Sequence, residues 1–360
     1  MTSEPLSTPA DNQWDTFVSG VPRETNRLIG MIYGHSLGDA VGLTTDFKTK
    51  NESADIVFPY TDSVRGFPPC DWTSNTDHLL VVMRTMSGGE FDQLTIAANL
   101  REWVSNGFPE VGDTGGSHLN GVMKMIIDDD AFTANPSQVA ADVWTKSSGK
   151  FATNGSLIRS SIIGAIPDPV KVARCAAMLS VITHVDPRCV AACVLQSTLI
   201  NAIVHGDVRE TTDVDSILRD CISVARRHTV TDDAEVSQIL DAELSNWTNL
   251  SYTKNICELR LDDISKMDYV FKSLSCSIYV MHVIRVAICN GATPSFKKVI
   301  TKIVGEGGNA SANASCAGAI LGAYLGYSGI PREWVDQLPN RDWLNQMIMK
   351  FVNGAEDPIV

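Results

Sequence analysis

Helical periodicity runs along almost the whole chain, and it is the feature that most limits the folds open to it. From Val170 to His184, the residues Val172, Ala173, Ala176, Ala177, Leu179 and Ile182 recur at the spacing of one helix face. After the break at Asp186-Pro187 a second run continues from Arg188 to His205. Proline at its start and Gly206 just past its end form the usual helix asymmetry. Thr231-Asp232-Asp233-Ala234-Glu235 supplies a capping signal before Val236, Ile239, Leu240 and Leu244. Tyr269–Ile288 and the small-residue run Ala310–Tyr327 also read as helices, while alternating strand patterns with hairpin signals are nearly absent. The expectation is an all-α protein packed as a multi-helix bundle.

Residues 1–20 read as a flexible N-terminal tail, since Met1 to Asp15 is polar and carries two prolines and three acidic residues. The same stretch lacks the basic start and apolar run of a signal peptide. Nothing resembles an interdomain linker beyond it, so residues 21–360 are expected to form one domain. Apolar stretches such as Val190–Ile203 are interrupted by Gln, Ser, Thr and Asn, short of the roughly 20 apolar residues that cross a bilayer. No membrane partner is expected. The net charge of −13 argues equally against a nucleic-acid partner, whose phosphates it would repel. The nine cysteines include no CxxC pair or zinc spacing, which suits free thiols in the cytoplasm or another reducing compartment.

Four segments carry candidate chemistry. Gly34-His35-Ser36-Leu37-Gly38-Asp39-Ala40-Val41-Gly42, followed by Thr44-Thr45-Asp46-Phe47, has glycines spaced for a close approach, which serves tight helix packing or a ligand site. Asp71-Trp72-Thr73-Ser74-Asn75-Thr76-Asp77-His78 crowds capping residues at a helix start. Lys150–Ser161 contains Asn154-Gly155-Ser156, a turn whose backbone N–H groups would suit an anion if a helix opens there. Gly307-Gly308-Asn309-Ala310-Ser311-Ala312-Asn313 is a second glycine turn running into small residues. Long loops at Lys48–Cys70 and Phe108–Gly121 are functional or disordered by their length.

Taken in order, these segments resemble the ADP-ribosylglycohydrolase family. Val143-Trp144, Thr183-His184 before Pro187, Ala317-Gly318 and Ile330–Trp334 fit the same pattern, and Tyr269–Leu274 resembles a segment of the family's larger members. The resemblance runs from about Asn26 to Leu338. It implies an all-α, compact multi-helix, ADP-ribosylglycohydrolase-like orthogonal bundle. It also implies hydrolysis of the bond between ADP-ribose and an acceptor, with a binuclear magnesium centre that orients the ribose hydroxyls and a water.

The family holds that centre with a Thr-Asp-Asp triplet and the Asp-x-Asp-Thr of its last motif. Those positions map onto Thr73, Ser74 and Asn75 and onto Asn309, Ser311 and Ala312, so Thr73 alone is retained. Magnesium demands octahedral oxygen ligands and gives up water reluctantly, and neutral Ser and Asn do not supply the charge that offsets dehydration. Neither a metal nor another cofactor is therefore expected. The resemblance assigns the hold on the diphosphate and riboses to Asn154, Gly155, Ser156 and His184. Read alone, Ser156 is an N-cap and His184 a helix C-terminal histidine. Asp39, Asp46 and Asp77 are the nearby acids for general acid–base work, and equally read as surface or capping carboxylates. The leading expectation is a pseudoenzyme that binds ADP-ribose or an ADP-ribosylated protein. The alternatives are an active hydrolase with altered or no metal use, and an interaction protein reusing the scaffold.

Overall fold

The computed structural model describes residues 9–354 apart from 51–54, 90, 117, 230 and 249–253. The chain forms α1 (Pro9–Gly20), α2 (Arg23–Gly42), α3 (Ser74–Ser87), α4 (Gln93–Asn106), α5 (Gly121–Ile127), α6 (Pro136–Lys146), α7 (Pro169–Val181) and α8 (Pro187–His205). It continues through α9 (Thr211–Arg227), α10 (Ala234–Thr248), α11 (Val270–Cys289), α12 (Phe296–Val304), α13 (Ala310–Leu325), α14 (Arg332–Val335) and α15 (Arg341–Gly354). Among the described residues there is no strand, only isolated bridges such as Lys48 with Gly308 and Thr153 with Tyr269. The fold is all-α, and its buried apolar side chains form one contiguous core.

Local chemistry sets the helix starts. Asp168 and Asp186 each precede a first-turn proline, and their carboxylates accept the N–H of Val170 at 2.9 Å and of Arg188 at 2.8 Å. Asp233 caps α10 in the same way, accepting from Glu235 and Val236 at 3.0 Å each.

The centre of the bundle is the antiparallel pair α2 and α13, joined along a seam of glycines. Gly30, Gly34, Gly38 and Gly42 recur every fourth residue and so share one face of α2. A Cβ at Gly34 would stand 2.1 Å from the Gly318 carbonyl oxygen, and one at Gly38 2.1 Å from that of Ala314. From the other side, a Cβ at Gly318 would stand 2.0 Å from the Gly34 carbonyl, and one at Gly322 2.0 Å from that of Gly30. The two backbones are in direct contact, and no other residue fits.

Two expectations change. Residues 1–8 lie outside the described residues, but Pro9–Gly20 is helix α1 rather than a frayed tail. Trp14 is buried, and its indole donates to Tyr327 Oη at 2.9 Å and stands edge-on to that ring. Asp15 pairs with Arg332 at 2.7 Å. One aromatic anchor and one ion pair dock a helix whose composition is otherwise polar. Next, α8 and α11 are long and apolar enough to cross a membrane by length and composition. Their most apolar windows are 83% and 72% buried within the protein, so the apolar composition serves the core.

The seam generates a stability prediction. Gly34→Ala should cost more than the about 1–3 kcal/mol of ordinary overpacking, because the clash is with backbone. Gly121, where an added Cβ would meet nothing within 4 Å, is the control: Gly121→Ala should stay within about 0.5 kcal/mol of the parent. Urea unfolding reads both, and a Gly34→Ala protein as stable as the parent would contradict the packing described.

Candidate functional site

The C-terminal half of α2 delivers Asp39 to the start of α3. Asp39 is fully buried and accepts five hydrogen bonds. Its Oδ1 takes the Thr73 hydroxyl at 2.8 Å and the Asn75 side-chain amide at 3.0 Å. Its Oδ2 takes the backbone N–H of Thr73 at 2.9 Å, that of Thr76 at 3.0 Å and the Thr76 hydroxyl at 2.8 Å. Thr73 in turn caps α3, accepting the Asn75 N–H at 3.2 Å. Asp39 is therefore the clamp of a helix N-terminus, with its lone pairs engaged.

Asp46 plays the matching part at the start of α13. It is buried, and its Oδ1 accepts the Ser311 N–H at 3.2 Å while its Oδ2 pairs with Arg65. Burial pushes its carboxyl up to about 6 against the opposing pull of Arg65 and Ser311. The glycine turn before α13 is pinned by backbone. Gly307 and Gly308 have φ of +69° and +72°, and a Cβ on them would stand 2.4 Å from the Lys48 carbonyl oxygen and 2.0 Å from that of Leu261. This fixes Asn309 at the head of α13.

The Asn154-Gly155-Ser156 turn differs from expectation. It opens not an α-helix but the short 3₁₀ turns Leu157–Arg159 and Ser161–Ala165, so no long helix aims its N-terminus here. Ser156 is fully buried, exchanging a hydrogen bond with Ser180 at 3.2 Å and accepting the Cys193 thiol at 3.4 Å. His184 is buried behind the turn, with Nε2 on the Thr153 hydroxyl and Nδ1 on the Thr183 hydroxyl, both at 2.8 Å. A Cβ at Gly155 would stand 2.9 Å from the His184 ring, so the imidazole packs on the back of the glycine. Ser156 and His184 thus hold the turn in place rather than line the cavity. Below them lies Arg159, fully buried, donating to the Gly155 carbonyl at 2.9 Å and the Thr183 hydroxyl at 2.6 Å. No carboxylate among the described residues pairs with it. Burial lowers it only to about 10, so it stays charged at neutral pH.

These elements enclose a cavity of about 290 Å³. Thr73, Ser74, Asn75, Asn309 and Ser311 line it together with Asp46, Asn154 and Gly155, while Ala312 belongs to the core. The four sequence segments therefore meet in one place. Asp77 does not line the cavity: its carboxylate accepts the Trp72 indole N–H at 2.9 Å, and burial raises it well above the usual range. Asp46 is the one carboxylate on the cavity wall among the described residues, and no cluster of three or more His, Cys, Asp or Glu side chains suited to a metal occurs among them.

The long loops supply residues that pattern reading missed. Arg65 lies over the Phe47 ring at 4.6 Å, and Phe67 stacks on His118 with centroids 4.2 Å apart. Phe47 is 50% exposed, so its ring is available at the mouth. Asn120, Met123 and His78 complete the wall. The loop lengths were the signal for Arg65, Phe67 and His118; His78 sits inside the second motif but was hidden by its helical context.

Known proteins resemble this chain over most of its length. The family model for ADP-ribosylglycohydrolase matches residues 21–358. The chain belongs to the ADP-ribosylglycohydrolase family. It is 22% identical over 339 residues to ADP-ribosylarginine hydrolase Tri1 of Serratia proteamaculans (strain 568), covering 88% of this chain and 76% of that protein. It is 23% identical over 371 residues to ADP-ribosylarginine hydrolase Tri1 of Pseudomonas putida (strain GB-1), covering 98% and 85%. A solved structure described as an ADP-ribosylglycohydrolase-related protein complex superposes with a TM-score of 0.66 at 16% identity, over 93% of this chain and all of that one, a likeness of fold.

In this ADP-ribosylglycohydrolase relative, the buried imidazoles make stability depend on acid. Burial, followed by the Arg159 charge and then His78, lowers His184 to about 3, whereas an unfolded histidine titrates near 6.5. Between these values the unfolded chain binds the extra proton, so stability falls as pH falls through that window. His184→Gln should reduce the stability lost between pH 7 and pH 4.5 by about 2–3 kcal/mol. Urea midpoints at both pH values measure it, and an unchanged pH slope would contradict a neutral buried His184.

Proposed function

We propose that this chain binds ADP-ribose, free or attached to a protein, without a binuclear magnesium centre and without turnover, as a pseudoenzyme of its family. The observation that carries the reading is the charge of the cavity wall: one carboxylate, Asp46, already paired with Arg65. Asp39 is engaged by five hydrogen bonds and does not line the cavity, and Ser74, Asn75, Asn309 and Ser311 are neutral. This donor set does not fit two magnesium ions, which need anionic oxygens to offset their dehydration and mutual repulsion.

The same wall suits an anionic ligand despite a net charge of −13. Arg65 stands at the mouth paired with Asp46, so the local excess charge is that of Arg159 behind the Gly155 carbonyl, and it outweighs distant charges screened beyond about 10 Å. The exposed Phe47 ring offers a face for a purine. The arginine-hydrolase relatives support ADP-ribose as the ligand class.

Calorimetric titration with ADP-ribose tests this directly. Affinity in magnesium should match that in chelator within about threefold, well under one pKa unit's worth of coupling. Binding that requires magnesium would refute the metal-free account. Absence of binding in both conditions would leave the scaffold reading in its place.

A second reading has one specific observation behind it. The Asp46 carboxyl, lifted to about 6 inside the cavity, sits where a general base works at neutral pH. A metal-free hydrolase would release ADP-ribose from arginine- or serine-modified peptides in the presence of chelator, and Asp46→Asn would abolish that release. No release from the parent protein would dismiss this reading.

A further inference from the structure

Arg65 is the one lysine or arginine among the described residues on the cavity wall, and most of its hydrogen-bonding capacity is unspent. One guanidinium N–H meets Asp46 Oδ2, and no acceptor among the described residues takes the others. Arg188 shows the contrast: its guanidinium meets Asp186 at 2.9 and 2.6 Å and the Gly149 carbonyl at 2.8 Å, a cation used up inside the protein. The Arg65 side chain is 35% exposed, whereas the Asp46 side chain it pairs with is 2% exposed. The backbone that presents Arg65 is unfavourable for a side chain. Val64 and Phe67 exchange two backbone hydrogen bonds, at 3.2 and 2.9 Å, around Arg65 and Gly66, whose φ angles are +53° and +87°. A two-residue turn with positive φ at both central positions favours Asn-Gly, and an arginine in the first of them is costly. The Phe47 ring lies 4.6 Å from the guanidinium and supports its face. Turn, ring and carboxylate together fix a guanidinium that still has donors to spare.

We propose that Arg65 holds a phosphate of the bound ligand while it stays paired with Asp46, as a resident cation bridging the two anions. The inference rests on the ADP-ribose reading and deepens it by naming the residue that recognises the diphosphate. A guanidinium only donates, through a planar fork that matches phosphate oxygens two at a time. Pairing with Asp46 offsets its charge but does not exhaust the fork, so a phosphate takes the N–H groups that Asp46 leaves. With the guanidinium between them, each anion lies closer to the cation than to the other anion, and attraction outweighs repulsion. Asp46 also anchors the arrangement, because its Oδ1 accepts the Ser311 N–H at 3.2 Å and so ties the pair to the head of α13. The rest of the polar wall, Ser74, Asn75, Asn154, Asn309 and Ser311, is neutral and leaves the phosphates to the cation.

Calorimetric titration in chelator with ADP-ribose and with ADP tests this on the parent protein, Arg65→Met, Arg65→Lys and the double variant Arg65→Met/Asp46→Asn. The two ligands share the diphosphate, so Arg65→Met should weaken both about tenfold or more and to a similar extent. Arg65→Lys keeps the charge and loses the fork, and should fall between the parent and Arg65→Met. The double variant is neutral at both positions, which separates a phosphate contact from mere neutralisation of Asp46. It should stay about fivefold or more weaker than the parent for both ligands, and its affinity should depend less on salt. Recovery of parental affinity in the double variant would overturn the proposal, since Arg65 would then serve only to offset Asp46. A loss confined to ADP-ribose would overturn it too, by placing the contact at the terminal ribose. Equal affinity in the parent and all variants would overturn this assignment while leaving the ADP-ribose reading intact. A parent protein that binds neither ligand would remove that reading together with this one.

Discussion

Backbone contact between α2 and α13 is the constraint on which the rest of the structure depends. Glycine at every fourth position of α2 meets Ala314, Gly318 and Gly322 of α13 with no room for a side chain. Such contact fixes the register of the two helices, since sliding one along the other would drive Cβ atoms of neighbouring residues into carbonyls. The register places Asp39 under the first turn of α3 and carries the chain past Gly42 to Asp46 at the first turn of α13. A packing device in the core thus sets the position of two carboxylates at the cavity.

Those carboxylates give the site its charge balance. Each occupies a helix N-terminus, where backbone N–H groups and the helix dipole favour negative charge. Asp39 serves α3 and Asp46 serves α13, so the helix ends that flank the cavity are satisfied from within the protein. Arg65 neutralises Asp46 from the long loop, and Arg159 remains as a buried cation held by carbonyls and a hydroxyl. The wall that results is polar and weakly charged.

Much of this was legible in the sequence. The 3.6-residue pattern located α7, α8, α11 and α13 closely, because their buried faces are long, and α7 and α8 start with Asp-Pro and α13 with small residues. The glycine stripe of α2 read equally as packing or ligand contact, and the structure uses it for packing that positions ligand-facing groups. Motif order brought Thr73, Asn75, Asn154, Asn309 and Ser311 to one cavity. What failed was depth. Ser156 and His184 lie within three residues of their motifs' cavity-lining partners or across from them, yet they face the core, and no spacing distinguishes a wall residue from its support. Helix α1 escaped notice because its docking rests chiefly on Trp14 within a polar segment. Arg65 and Phe67 were out of reach because irregular loops carry no periodicity from which to read direction.

We propose a nucleotide pocket that works without magnesium. A crystal structure of the protein grown with ADP-ribose and excess magnesium tests it most directly. Ligand is expected to extend inward from Arg65 at the mouth, with no ion between Asn75 and Asn309. A cation at that position, in octahedral contact at about 2.1 Å with their side-chain oxygens, would contradict it.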